Sequence, residues 1–294
     1  MMWLIKHVDL SSVCFKATLP VPSLHESSLE ELITTFAKLG RYLKDVKLLG
    51  PRLCISCKTD VSKLVIIFQS CPNLTRLNID NVNEIAMNDF IGCVKYLPLL
   101  VDLSCCCVAN RIADKSGMTP LVDALSEQCP ALTSLAISPG SDDGRSLLNL
   151  HKITALVNLT IQQGELADES LKAHLSNLTS LKLIGTSGLE CLRISDNSVL
   201  RCLTLDHIWQ HHEEPELTIE IERCAELQRV VIELLGDGRD INDICVHLRA
   251  CPRLTSLTVE EIGFDVGEDK IQVRCEGCPA VTELFIIGED CSAD

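Results

Sequence analysis

Four segments of this chain are near copies of one another: CPNLTRLNI from Cys71, CPALTSLAI from Cys129, CPRLTSLTV from Cys251 and CPAVTELFI from Cys278. Their shared core is L-x-x-L-x-[LIV]. Weaker copies of that core start at Leu43, Leu100, Leu156, Leu178, Leu189, Leu200 and Leu227, and another at Ile5 with Val8 and Leu10. From Leu200 the starts fall at Leu227, Leu254 and Val281, in equal steps. A repeat of this length is one supersecondary unit that buries its apolar face only by stacking on its neighbours, so the chain is expected to be a stack of rungs.

Apolar residues two apart share a face of a strand, so each copy predicts a short strand and the set predicts a parallel sheet. Several return paths read as helical. Ser28-Leu-Glu-Glu31 has the form of a capping box, followed by Leu29, Leu32, Ile33, Phe36 and Leu39 at helical spacing. Asp60 is placed to cap the segment holding Val61, Leu64, Val65 and Phe68, and Thr119-Pro120 to start Leu121 to Gln128. Asp168 and Asp240 are placed to open two more helices, ending near Leu175 and Leu248. Elsewhere a helix does not fit. Leu178, Leu189 and Leu200 follow one another too closely for a return helix, with room only for a strand and a turn. Leu217-Thr-Ile219-Glu-Ile221 and Ile271-Gln-Val273-Arg-Cys275 alternate with period two and stand two repeat lengths apart, which predicts an extended convex side there.

The Cys-Pro-x-Leu-Thr-x-Leu copies resemble the leucine-rich repeat family, in its irregular, cysteine-containing form, over roughly residues 40–287. The resemblance implies an α/β solenoid, a horseshoe with a parallel sheet on its concave face and a mixed helical and extended convex side. It implies a single domain over 1–294, with an irregular N-terminal repeat (1–42), repeats (43–287) and a short tail (288–294). It also makes Cys71, Cys129, Cys251 and Cys278 small buried residues at helix ends, with Pro stopping each helix. The opening WLIKHVDLSS, Trp3 to Ser12, is similar to the segment that follows an F-box in F-box proteins with leucine-rich repeats; a Trp packed at the mouth of the core reads the same residues structurally. The family uses F-box helices to bind the adaptor of cullin-type ubiquitin ligases, so adaptor binding is expected only if such helices precede Met1.

Composition narrows the function. Only two Trp, two Tyr and six Phe are available for base stacking, and 41 acids against 26 bases oppose phosphate binding, so no nucleic-acid partner is expected. Apolar runs stop at five residues, as at Leu64 to Phe68, against the roughly 18 of a membrane span, so no membrane partner is expected either. The absence of a secretory pattern in MMWLIKHVDL and the odd number of cysteines, 17, point to reduced thiols and a cytoplasmic or nuclear placement. Charge is uneven. Residues 1–205 hold 20 acids and 19 bases, net −1, whereas 206–294 hold 21 acids and 7 bases, net −14.

No catalytic constellation is found, and no cofactor or metal is expected. Cys54-Ile-Ser-Cys57 and Cys275-Glu-Gly-Cys278 have metal-ligand spacing but stand too many rungs apart to share an ion. In Cys105-Cys106-Cys107 alternation puts Cys105 in the core and leaves Cys106 as an exposed thiol. His207, His211, His212, Glu213 and Glu214 have the residue types of a divalent-metal site, yet read as a solvated loop between repeats.

The residues between the Leu positions are expected to line the concave face. Counting the first Leu as one, position three includes Arg76, Asp102, Asn158, Cys191 and Glu283, and position five includes Asn78, Lys182 and Arg193. Position seven carries Asp80 early and Asp206, Glu233 and Glu260 in successive late repeats. Three like charges on adjacent rungs repel, which suggests a stripe for a basic segment of a protein partner. The expected function is non-catalytic protein recognition, with substrate selection for an F-box-type ubiquitin ligase as its most concrete form. The alternative is a stand-alone inhibitor or scaffold, similar to the acidic, Cys-rich ribonuclease-inhibitor type, binding a basic protein.

Overall fold

A computed structural model describes residues 15–20, 34–49, 61–80, 87–106, 118–138, 145–162, 177–186, 191–209, 217–235, 244–262 and 271–287. The first five strands are β1 (Phe15–Pro20), β2 (Leu43–Leu49), β3 (Arg76–Asn78), β4 (Asp102–Ser104) and β5 (Ser134–Ile137). Next come β6 (Asn158–Gln162), β7 (Ser180–Ile184), β8 (Cys191–Ser195), β9 (Cys202–Trp209) and β10 (Leu217–Glu222). The last are β11 (Arg229–Leu235), β12 (Ile244–Arg249), β13 (Ser256–Ile262), β14 (Ile271–Glu276) and β15 (Glu283–Ile287). They form two parallel sheets. Among the described residues a front sheet of eleven strands runs β1-β2-β3-β4-β5-β6-β7-β9-β11-β13-β15, and a back sheet of four runs β14-β12-β10-β8.

Between the early front strands the chain returns through helices: α1 (residues 34–39), α2 (Val61–Gln69), α3 (Met87–Val94), α4 (Thr119–Gln128) and a 3-10 helix, Arg145–Lys152. Pro120 sits in the first turn of α4, where its missing N–H costs nothing. The apolar side chains of α2, α3 and α4 enter the core: Phe68 and Phe90 meet edge to face at 6.3 Å between α2 and α3, and Leu121, Val122 and Leu125 of α4 are fully buried. Each such Leu contributes about 2 kcal/mol of burial.

Every letter of the repeat has a place in the rung. The Cys is inside, with Cys71, Cys129 and Cys251 fully buried and Cys278 partly so. The first Leu amide closes the turn onto the Cys carbonyl, as in Leu74 N–H to Cys71 O at 3.1 Å and Leu132 N–H to Cys129 O at 3.0 Å. The Thr hydroxyl donates to a carbonyl of the preceding rung: Thr75 to Lys44 at 2.8 Å, Thr255 to Gln228 at 3.1 Å, Thr282 to Thr255 at 3.3 Å. The motif therefore both turns the chain and binds one rung to the last.

In the later rungs the return path is β8, β10, β12 and β14. Their inward residues Leu192, Ile194, Ile219, Ile221, Val246 and Leu248 are buried against Leu203, Leu205, Val230, Ile232, Leu257 and Val259 of the front sheet, in one continuous core. Each back strand ends on a residue in the left-handed region, at the same place in successive rungs: Asp196 (φ 55°), Arg223 (φ 52°), Ala250 (φ 53°) and Gly277 (φ 65°). That residue turns the chain toward the front sheet, and its amide donates to the next rung, as in Asp196 N–H to Glu222 O at 3.0 Å and Ala250 N–H to Glu276 O at 2.8 Å.

Four expectations are corrected here. No helix ends near Leu248: Ile244–Arg249 is strand β12, because Ile244, Val246 and Leu248 alternate and bury one face. Cys251 and Cys278 follow strands, so the same Cys-Pro turn closes either kind of return path. The segment at Leu189 is no front rung: Cys191 and Arg193 lie on β8 of the back sheet, paired with Thr218 and Glu220. Cys106 is buried, because the chain leaves the strand after Ser104 and alternation no longer applies. The α2 and α4 expectations and the extended paths at Leu217 and Ile271 match the structure. Trp3 to Ser12, Ser28 to Glu31, Cys54, Cys57, Asp60, Cys107, Asp168 to Leu175 and His211 to Glu214 lie outside the described residues.

Candidate functional site: the open face of the front sheet

Strand register turns the sequence positions into rows. Position three runs unbroken across all eleven strands as Lys16, Asp45, Arg76, Asp102, Ser134, Asn158, Ser180, Cys202, Arg229, Ser256 and Glu283. Position five runs as Thr18, Lys47, Asn78, Ser104, Ala136, Thr160, Lys182, Thr204, Val231, Thr258 and Phe285. Arg76, Asn78, Asp102, Asn158, Lys182 and Glu283 thus share the face the sequence assigned them. Arg193 does not. It sits on the back sheet with its guanidinium against the Glu220 carboxylate.

The two ends of the face differ in chemistry. At the early end the charges are consumed locally: Arg76 pairs with Asp45 at 3.3 Å. Asp80 accepts from Asn78 Nδ2 at 3.1 Å, Ser104 Oγ at 2.5 Å and the Cys106 amide at 2.8 Å. Asp80 therefore holds two rungs together and offers little to a ligand. The middle rungs present small neutral side chains.

The late end carries Asp206, Glu233 and Glu260. Glu233 and Glu260 are in direct register on β11 and β13. Between β9 and β11 the register slips: Leu205 faces Ile232 and Ile208 faces Leu234, leaving Asp206 and His207 opposite Glu233 alone. This is a β-bulge, uncommon between parallel strands. His207 takes the left-handed conformation (φ 55°), the place that Gly185 (φ 59°) fills in the preceding front rung. The bulge brings the His207 ring Nδ1 against Asp206 Oδ1, while Asp206 Oδ2 accepts from Lys182 Nζ at 2.8 Å. One ligand atom each from Asp206, His207 and Glu233 lie within 4.8 Å of one another.

The electrostatics follow. Partial burial works against ionisation of Asp206, but its bonds to Lys182 and His207 outweigh that and hold its carboxyl below the usual range. Glu233 is pushed up by burial and by the Asp206 and Glu260 carboxylates, an effect His207 offsets only in part. Among the described residues neither Glu260 nor Glu283 forms an ion pair. His207 is the residue sequence reasoning misplaced: it is in strand β9, not in a loop. A signal was present, since buried Leu203 and Leu205 are followed by buried Ile208, a slip of one in the alternation.

The described residues fold as a solenoid of leucine-rich rungs stacked through parallel strands. No family model matches the sequence, and no curated protein matches it. Among solved structures it is similar to an internalin from Listeria monocytogenes strain 4b F2365, at 13% identity and a TM-score of 0.43, over 93% of this chain and 87% of that chain.

Proposed function

We propose that this protein is a non-catalytic recognition module that binds a protein partner across the open face of its front sheet, the late acidic rungs taking a basic segment. The observation that carries the reading is the contrast along that face. Asp45 and Asp80 are neutralised or bonded within the sheet, whereas Glu260 and Glu283 face outward without an ion pair among the described residues. Unpaired carboxylates on a sheet surface cost mutual repulsion that a cationic ligand would relieve. The finer reading is substrate selection for an F-box-type ubiquitin ligase in the cytoplasm or nucleus. It is supported by the likeness of Trp3 to Ser12 to the segment that follows an F-box.

The test is capture of proteins from lysate on the immobilised chain at low and high salt, beside the Glu260→Lys/Glu283→Lys variant. Salt-sensitive capture by the parent and its loss in the variant are expected. Equal capture by both would sink the acidic-stripe reading. For the finer reading, the captured protein should become ubiquitinated in an extract containing this chain joined to an F-box, and its persistence unmodified would reject that role.

A further inference from the structure

We propose that Asp206, His207 and Glu233 form a binding site for one divalent first-row transition-metal ion such as Mn2+ or Zn2+. The inference concerns the isolated chain and does not rest on partner binding.

Three features of the geometry lead there. First, the donors have the right types and are already gathered. An imidazole nitrogen and two carboxylate oxygens lie within 4.8 Å of one another, whereas donors around such an ion stand at about 2.0–2.2 Å from it. Rotations of about an ångström at the ends of these side chains would close the set, and a mixed nitrogen and oxygen set selects a first-row ion over the soft ions that thiolates prefer.

Second, the two oxygens of Asp206 are divided between tasks. Oδ2 is held by Lys182 at 2.8 Å, and Oδ1 is turned to His207. A ligating carboxylate oriented through its other oxygen is the arrangement that fixes a ligand in place around metals. Lys182 is thus a positioning residue and not a ligand.

Third, the backbone sustains a cost to present the imidazole. Position φ 55° suits glycine, and the neighbouring rung uses Gly185 at the matching place. Here a histidine takes it, in a bulge that places its ring on Asp206. The ring is not part of the hydrophobic core, its side chain being 46% exposed. The same exposure leaves a path for the ion and for water to complete its coordination. With Glu260 in register beside Glu233, the site also has the local negative charge that a divalent cation would neutralise.

The experiment is a titration of the purified full chain with Mn2+, followed by loss of the free-ion EPR signal, and with Co2+, followed by its visible absorption. Mn2+ avoids the 17 thiols of the chain. The expected result is one Mn2+ per chain and a Co2+ spectrum of nitrogen and oxygen ligation. Asp206→Asn and His207→Gly should each weaken binding at least tenfold, while Cys275→Ser leaves it unchanged. His207→Gly keeps the test decisive, since glycine relieves the backbone and this variant should melt no lower than the parent without metal. Failure of the parent to bind Mn2+, unchanged affinity in both site variants, or a Co2+ spectrum dominated by thiolate charge transfer would overturn the site.

Discussion

The rungs backed by helices and the rungs backed by the second sheet solve one problem in two ways. Both place a short front strand, turn on a buried residue and pass a hydrogen bond to the preceding rung. In the helix-backed part, the helices satisfy their own backbone, and among the described residues neighbouring helices meet through side chains such as Phe68 and Phe90. In the sheet-backed part the return strands bond to one another, so each rung is tied to the next on both faces. The second solution demands uniformity. Its turns recur at one constant interval, at Asp196, Arg223, Ala250 and Gly277, and outward charges pair at the same interval. Arg223 binds Asp196 at 2.6 Å and Arg249 binds Glu276 at 2.9 Å. The helix-backed rungs tolerate unequal lengths because a helix can be lengthened without breaking any inter-rung register.

The largest expected contrast is in thiol chemistry. Burial pushes Cys71 up to about 12, and burial with the nearby Asp89 pushes Cys93 to about 11, from an ordinary 9.0. Three pH units make the Cys71 thiolate about a thousandfold scarcer. Mass-spectrometric mapping after brief alkylation should find exposed Cys275 modified and Cys71, Cys93 and Cys129 spared; early labelling of Cys71 would mean that the helix-backed rungs open readily. The sign for stability follows. These thiols keep their protons in the folded chain and lose them near pH 9 when unfolded, so their contribution is complete below pH 9 and is lost as pH rises toward 12. Melting temperature should fall across that window.

Next in size is Phe90→Ala, which removes a fully buried ring and should cost about 3–5 kcal/mol. A single cooperative melt shifted downward is expected, because one core runs through both parts. Two separate transitions would show the helix-backed rungs melting on their own. Gly40→Ala should cost about 1–3 kcal/mol by crowding, since a Cβ there would lie 2.2 Å from the Ser70 carbonyl oxygen, in the following rung. Denaturant midpoints measure both.

The smallest effect is a gain. Ala250→Gly should stabilise the sheet-backed part by about 0.5–1 kcal/mol, because Ala250 holds the left-handed turn that Gly277 makes at no steric cost. A loss of stability instead would mean that the turn is set by something other than backbone preference.

Much of this was legible in the residues. The Cys-Pro-x-Leu-Thr copies marked front strands, and rows three and five follow the predicted lists except that β1 adds Lys16 and Thr18, which no repeat start announced, and that the segment at Leu189 drops out. That miss has a simple origin: Cys191-Leu-Arg-Ile-Ser195 alternates as a front strand would, and alternation alone does not say which sheet a strand joins. The helix expected to end at Leu248 failed for a related reason. An acidic residue such as Asp240 before an apolar segment resembles a cap, but Ile244, Val246 and Leu248 follow period two. For the candidate site, Asp206 and Glu233 were visible as charges at a fixed position, and Lys182 as a residue of the same face. Their meeting with His207 was not, because it depends on a one-residue slip between two strands.

The residues alone dictate the rung: a regular period in the late repeats, an aliphatic core, a buried cysteine at the turn and a threonine that binds the rung before it. These are local matters of spacing and side-chain type. Strand pairing settles which extended segments stand at the front and which at the back, and that a bulge in β9 carries an imidazole onto two carboxylates. Both depend on which strands lie side by side, and register is a property of pairs of segments that no single segment contains.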